Sequence, residues 1–211
     1  MRLGPCCGAL IAGAVVLIAG ASRLERPGGV LYRPAPAATV ASSPEDASGR
    51  SLHQLRSVWT DDRGDRITLR DLRGSTQVLA MVFTRCPRSC PTLIHDLKHI
   101  DAAMPAGVRA RTRFVLVTID PLHDTAAVLR EFRGHMALDE RRWTLLRGSE
   151  SDTRELAAVL GLAYGKGNGV DYTHSSLVTV LDPGGVVTHQ QTSVGTDPAR
   201  MLAAIEGGSP H

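Results

Sequence analysis

Two cysteines, Cys86 and Cys90, follow directly on an apolar stretch at residues 78–84. Seven residues rich in valine, leucine, methionine and phenylalanine predict a buried strand, and the proline-bounded polar turn after them places both cysteines at its carboxyl end. Open α/β sheets bind ligands at that edge. The cysteine pair is therefore predicted to be a functional site on an exposed turn, and not a pair of inert core thiols.

The spacing of the two cysteines suits two kinds of chemistry. If a helix starts at Pro87, Cys86 and Cys90 lie on one face with about 6 Å between their Cα atoms. A disulfide tolerates Cα separations of about 4.4 to 6.8 Å, and one soft metal ion fits between two thiolates equally well. The helix amino terminus and the charges of Arg85 and Arg88 favour the thiolate, which both chemistries require. The residues alone leave both open.

The composition describes one domain of ordinary size with an amino-terminal extension. The chain has 211 residues, of which 43% are hydrophobic, enough to form a core. Its formal net charge is only +3, and aromatic residues make up 4% of the chain, so platforms for stacking bases are scarce. We therefore predict no nucleic-acid partner.

The amino terminus predicts export. Residues 3–22 carry no charge, follow Met1 and Arg2, and include small residues at 19–21 that a signal peptidase could cut. Residues 1–22 are therefore a signal peptide or a membrane anchor, since such a stretch also reaches the lower range for a spanning helix. We expect a membrane-anchored protein that faces the periplasm or another extracytoplasmic space, or one secreted there if the signal is cleaved.

Export bears on the state of the cysteines. Cys6 and Cys7 lie within the predicted signal or anchor segment, so Cys86 and Cys90 are the only cysteines beyond it. An oxidising compartment joins an isolated pair as a disulfide unless something reduces or metallates it.

After a flexible tether at residues 23–49, rich in proline, alanine, serine and glycine, strands and helices alternate. Apolar runs predict two hairpins and three further strands, at 59–69, 175–191, 78–84, 114–119 and 143–146. Helical spacing predicts four helices, at 87–104, 125–136, 152–160 and 198–205. This order indicates an α/β fold in which helices cover both faces of a central sheet. The folded domain is expected over residues 50–206, with a tail at 207–211.

Four segments carry motifs in a fixed order: 83–91 around the cysteines, 119–121 with Asp124 and Thr125, 143–146 with Gly148, and 171–175 around a histidine. In these motifs the chain resembles the Sco/SenC copper-assembly proteins, which are thioredoxin-like domains anchored outside the membrane that help to metallate cytochrome c oxidase. The likeness covers roughly residues 59–191. It implies a thioredoxin-like fold with a central mixed sheet, and copper bound by Cys86, Cys90 and His174.

The chemistry of this residue set agrees with the resemblance. Two thiolates and one imidazole are soft to borderline ligands that suit copper, as Cu(I) or Cu(II), whereas oxygen-rich sites suit magnesium or calcium. His174 precedes an apolar strand, where a loop could bend over the cysteine turn. Asp120 is a candidate to orient the ligands through hydrogen bonds, and Asp124 is interpreted as a helix N-cap.

Three functions follow from these residues. The first is a copper chaperone whose partner is the copper-site subunit of cytochrome c oxidase or another cuproprotein, with a thiol reductant or a second copper chaperone as a further partner. The alternative is a thiol-disulfide oxidoreductase that reduces target cysteines before metallation, with Cys86 as the attacking thiol. A peroxide-reducing enzyme on the same fold is the least favoured.

A pair of histidines lies on the first predicted helix. His95 and His99 are four residues apart, a spacing that can hold a divalent ion. The apolar stripe through Leu93, Leu97 and Ile100 places both imidazoles on the outer face of the helix. A solvated surface is the favoured interpretation of this pair.

Overall fold

A computed structural model describes residues 51–166, 172–174, 176–192 and 198–207, without the side chains of 166 and 172–174. The predicted leader at 1–22, the tether at 23–49 and the end of the tail at 208–211 lie outside this range. None of the helices in the described part is long and apolar enough to cross a membrane.

A seven-stranded mixed sheet forms the centre of the domain. Its strands are β1 (Val58–Asp61), β2 (Arg66–Thr68), β3 (Thr76–Val82), β4 (Thr112–Thr118), β5 (Trp143–Arg147), β8 (Val178–Leu181) and β9 (Val187–Gln191), in the spatial order β2-β1-β5-β4-β3-β8-β9. The three central strands β3, β4 and β5 are parallel, and the flanking pairs are antiparallel. The predicted mixed sheet is confirmed, with both hairpins and all three single strands.

A small antiparallel sheet, which the sequence did not predict, contains the candidate histidine. It pairs β6 (Tyr164–Lys166) with β7 (Tyr172–His174), and Tyr164 lies opposite His174.

In the described part of the chain, five α-helices accompany the sheet: α1 (Ser89–Ala103), α2 (Ala106–Arg111), α3 (Ala126–His135), α4 (Glu150–Leu160) and α5 (Pro198–Gly207). Local caps explain two of these boundaries. Thr125 accepts a hydrogen bond from the amide of Val128 at the start of α3, and Ser149 accepts one from Asp152 at the start of α4. The short helix α2 is the one that the periodicity of the sequence missed.

The core lies around the parallel strands. Every residue of β3 is buried, as are all but one of β4, and a strand without an exposed residue must be covered on both faces of the sheet. Phe114 and Trp143 stack between neighbouring strands with ring centroids 4.3 Å apart. The sequence predicted these strands correctly because their apolar residues are nearly continuous.

The register of β3 and β4 determines which loops meet. Val82, the last residue of β3, lies opposite Thr118, the last residue of β4. The amide of Ile119 then donates to the carbonyl of Val82 at 2.8 Å, so pairing continues to the end of both strands. The loop that carries the cysteines and the loop that carries Asp120 and Asp124 therefore leave the sheet side by side.

Gly148 directly follows β5 and packs against Trp59, which is completely buried in β1. A Cβ atom at position 148 would lie 2.7 Å from a ring carbon of Trp59, closer than packed atoms approach. The glycine of this sequence motif is therefore required by the close approach of an indole ring.

We expect Gly148→Ala to lower the free energy of unfolding by about 1–3 kcal/mol, because a buried ring must move to accept the methyl group. Gly134→Ala is the matched control, since a Cβ there meets nothing within 4 Å and lies in a helix. Chemical denaturation of both variants measures the difference. Equal stabilities would show that Trp59 moves without cost.

Candidate metal centre

The cysteine loop joins the end of β3 to the start of α1. The amide of Cys86 donates to the carbonyl of Phe83 at 3.2 Å, which closes a tight turn directly after the strand. The helix begins at Ser89 and not at Pro87, so the prediction that both cysteines share one helix face is wrong. Cys86 lies before the helix and Cys90 lies in its first turn.

The sulfur of Cys86 acts as the cap of this helix. Arg88, at the N-cap position, makes no capping hydrogen bond with its side chain. The Sγ of Cys86 instead accepts a hydrogen bond from the amide of Cys90 at 3.3 Å and lies 3.0 Å from the hydroxyl of Ser89. An otherwise unsatisfied amide at the helix start therefore points at a sulfur and stabilises its negative charge.

Both cysteines are buried free thiols in this structure. Cys86 is 8% exposed and Cys90 only 1%, so the prediction that both lie on an exposed turn is wrong. Both side chains belong to the hydrophobic core cluster of the domain. Cys86 is the more accessible of the two, as the oxidoreductase hypothesis expected.

The two thiols differ in acidity. Burial acts to raise the pKa of Cys86, but hydrogen bonds from the Ser89 hydroxyl, the amides of Cys90 and Arg88 and the Cys90 thiol outweigh it, so this pKa lies below its ordinary value. Burial raises the pKa of Cys90 to about 12, and the neighbouring Cys86 sulfur adds to that effect. Cys86 is therefore the first of the pair to become a thiolate.

Asp124 connects the cysteine loop to the neighbouring strand. Its carboxylate is 1% exposed and accepts hydrogen bonds from the amide and hydroxyl of Thr84, at 3.1 and 2.5 Å, and from the hydroxyl of Thr118. The sequence interpreted Asp124 as a helix cap, and this is wrong, because Thr125 caps α3. Thr84 and Asp124 are 40 positions apart, and no local sequence pattern predicts their contact.

Asp120 forms an ion pair with Arg85, the residue that precedes Cys86. Its carboxylate is 1% exposed and accepts hydrogen bonds from Arg85 at 2.6 Å and from Nδ1 of His123 at 2.8 Å. The buried carboxylate of Asp120 therefore balances the charge of Arg85. The leading causes that lower the pKa of Cys86 are hydrogen bonds. That Asp120 orients the metal ligands through hydrogen bonds stays a prediction.

His174 ends β7, and its side chain lies outside the described part of the structure. The strand that follows provides the relevant geometry. Val178 begins β8 and lies opposite Ala80 in β3, in antiparallel orientation. The chain therefore enters β8 from the edge of the sheet at which β3 ends and the cysteine loop begins.

Within the described residues, no group of three or more His, Cys, Asp or Glu side chains is arranged to hold a metal ion. The described part contributes the two cysteine sulfurs. Soft sulfur donors of this kind suit Cu(I).

Comparison with known proteins adds evidence of descent. Residues 47–207 match the family model described as SCO1/SenC. A candidate copper-binding protein of Stutzerimonas stutzeri is 27% identical over 140 residues, which cover 64% of this chain and 66% of that protein. The chain thus spans just under two thirds of the length of this relative.

Two solved structures share the fold. Arabidopsis thaliana ScoI, solved with copper bound, is 22% identical with a TM-score of 0.61, over 72% of this chain and 96% of that one. BsSco, a member of the Sco family of cytochrome c oxidase assembly proteins in which a disulfide switch was identified, is 20% identical with a TM-score of 0.62, over 72% and 90% of the two chains. The thioredoxin-like fold expected from the sequence is confirmed.

We expect Ser89→Ala to raise the pH at which Cys86 becomes reactive by roughly one unit, because the thiolate loses one hydrogen bond. The rate of alkylation by iodoacetamide against pH, in the full chain with Cys6 and Cys7 replaced by serine, measures this midpoint. Ser151→Ala, an exposed serine on α4, is the control. An unchanged midpoint in Ser89→Ala would rule out the hydroxyl as a source of the acidity.

Proposed function

Because the chain belongs to the SCO1/SenC family, we propose that it is a copper chaperone that assists the metallation of cytochrome c oxidase. Copper is the cargo, held by the thiolates of Cys86 and Cys90 and by the imidazole of His174. The single observation that carries this proposal is the pair of cysteines at the end of β3, where hydrogen bonds lower the pKa of one thiol. The names of the S. stutzeri relative and of copper-bound ScoI agree with copper as the cargo.

The different acidities of the two thiols support a metal carrier. Cys86 supplies the first sulfur, whose negative charge the helix amide of Cys90 stabilises. Cys90, with a pKa of about 12, is protonated at neutral pH, and a strong electrophile that binds its sulfur displaces the proton to water. Copper is such an electrophile, since metal coordination deprotonates thiols outright. Binding therefore releases protons and strengthens as the pH rises.

The third ligand is proposed on the course of the chain. The strand after His174 enters the sheet beside β3. His174 precedes Val178 by four positions, and an extended segment of that length spans at most about 14 Å. The imidazole of His174 can therefore approach the cysteine loop from the same edge.

The setting of this activity is also part of the proposal. Residues 1–22 export the chain and either anchor it or are cleaved, and residues 23–49 give the domain reach from the membrane. The recipient is the copper-site subunit of the oxidase or another cuproprotein. A thiol reductant or a second copper chaperone would keep the cysteines reduced or supply the metal.

A thiol-disulfide oxidoreductase is the second candidate, favoured by the lowered pKa and greater exposure of Cys86. In that reaction the Cys86 thiolate attacks a target disulfide and forms a mixed disulfide. The Cys90 thiolate then attacks the Cys86 sulfur, so the pair is oxidised and both target thiols are released. A Cys90 pKa of about 12 makes the second step slow at neutral pH, since little thiolate is present.

We expect the reduced full chain with Cys6→Ser and Cys7→Ser to bind one Cu(I), and Cys86→Ser or Cys90→Ser to abolish tight binding. Each cysteine variant leaves only one soft sulfur at the site. Titration against a competing Cu(I) chelator measures the affinity. Parent-like affinity in both variants would remove the chaperone proposal.

His174→Ala separates the two candidate functions. We expect the variant to bind copper about ten- to a hundredfold more weakly, while the reduction potential of the cysteine pair stays unchanged, because thiol exchange needs no imidazole ligand. His135→Ala, an exposed histidine on α3, is the matched control. The oxidoreductase takes precedence if His174→Ala binds copper like the parent and still reduces a target disulfide at the parent's rate.

A further inference from the structure

The outer face of α1 carries two histidines that point at each other. His95 and His99 are exposed, and their Nε2 atoms lie 3.0 Å apart. The ring centroids are 4.4 Å apart at an interplanar angle of 60°. Leu93, Leu97 and Ile100 are buried on the opposite face, so the pair lies on the solvent side of the helix.

The separation of the two nitrogens matches the bite of a metal ion. Two ligand atoms 3.0 Å apart, each bonded at about 2.1 Å, subtend an angle of about 90° at the metal. That angle is the one between neighbouring positions in tetragonal coordination, the geometry that Cu(II) prefers with nitrogen and oxygen ligands. Two histidines four apart on a helix are also a known way to present adjacent metal ligands.

We propose that His95 and His99 form a Cu(II)-binding site on the surface of α1. Both imidazoles bind the ion through Nε2, and water fills its other positions, since no third ligand from the described residues joins the pair. Among divalent ions of the first transition row, Cu(II) binds nitrogen sites most tightly. This site is independent of the cysteine pair and of the function proposed for it.

The surroundings of the pair are compatible with a bound cation. Lys98 is the neighbouring positive side chain on α1, and its Nζ donates to the carbonyl of Met136 at 3.1 Å. Its ammonium group is therefore held toward the end of α3. A cation at the histidine pair meets open solvent on its other side, which lets ligands exchange freely.

The same helix thus carries donors of two kinds. Cys90, in the first turn, faces the core with a soft sulfur, whereas His95 and His99 offer borderline nitrogens to solvent. Imidazole nitrogens suit Cu(II), so the histidine pair needs no sulfur donor to bind that ion.

The test uses the full chain with all four cysteines replaced by serine, so that no thiol reduces the added ion. Cu(II) is titrated against glycine as competitor, and the bound ion is examined by electron paramagnetic resonance. We expect one Cu(II) with two imidazole nitrogens. His95→Gln and His99→Gln should each weaken binding at least about tenfold, because the two-point attachment is lost.

His135→Gln is the matched control, because His135 is exposed on α3 and no other histidine lies three or four positions from it in the sequence. It should titrate like the parent. If the cysteine-free chain folds poorly, the same comparison is made with Ni(II) on the chain with its native cysteines. The proposal is overturned if His95→Gln and His99→Gln bind like His135→Gln, or if the resonance signal shows a single imidazole. The contact would then be a hydrogen bond between two rings only.

Discussion

The buried carboxylate of Asp124 is the interaction on which the geometry of the site depends. A carboxylate without water needs hydrogen bonds, and Asp124 obtains them from Thr84 and Thr118, which follow β3 and end β4. These contacts hold Thr84, near the start of the cysteine loop, beside the end of β4. Asp120 then takes Arg85, so two buried carboxylates from one loop determine where the chain turns toward Cys86.

The course of that turn gives the cysteines their chemistry. The helix α1 starts only at Ser89, and the Cys86 sulfur occupies the place of a helix cap. Cys90 is buried in the apolar core, where its thiol stays protonated. One short loop thus creates two thiols of different acidity, which a metal ion can join and which simple thiol exchange uses less readily.

Much of the fold could be predicted from the sequence because its signals are local. Continuous apolar runs identified β3, β4 and β5, and helical spacing identified four of the five helices. The prediction that the cysteines stand at the carboxyl end of a strand followed from the same runs. The two-stranded sheet around His174 was missed, since its strands are three residues each and have no clear alternation.

The amino-acid sequence was sufficient to predict the strands of the large sheet and four of the α-helices, the soft donor types of Cys86 and Cys90, and the family resemblance that singled out His174. Tertiary structure alone decided that Asp124 binds Thr84, forty residues away, that Arg85 is neutralised by Asp120, and that both thiols are buried. The physical reason is that periodicity reports which face of an element is apolar, whereas hydrogen bonds between loops depend on strand register and side-chain direction, which no local pattern encodes.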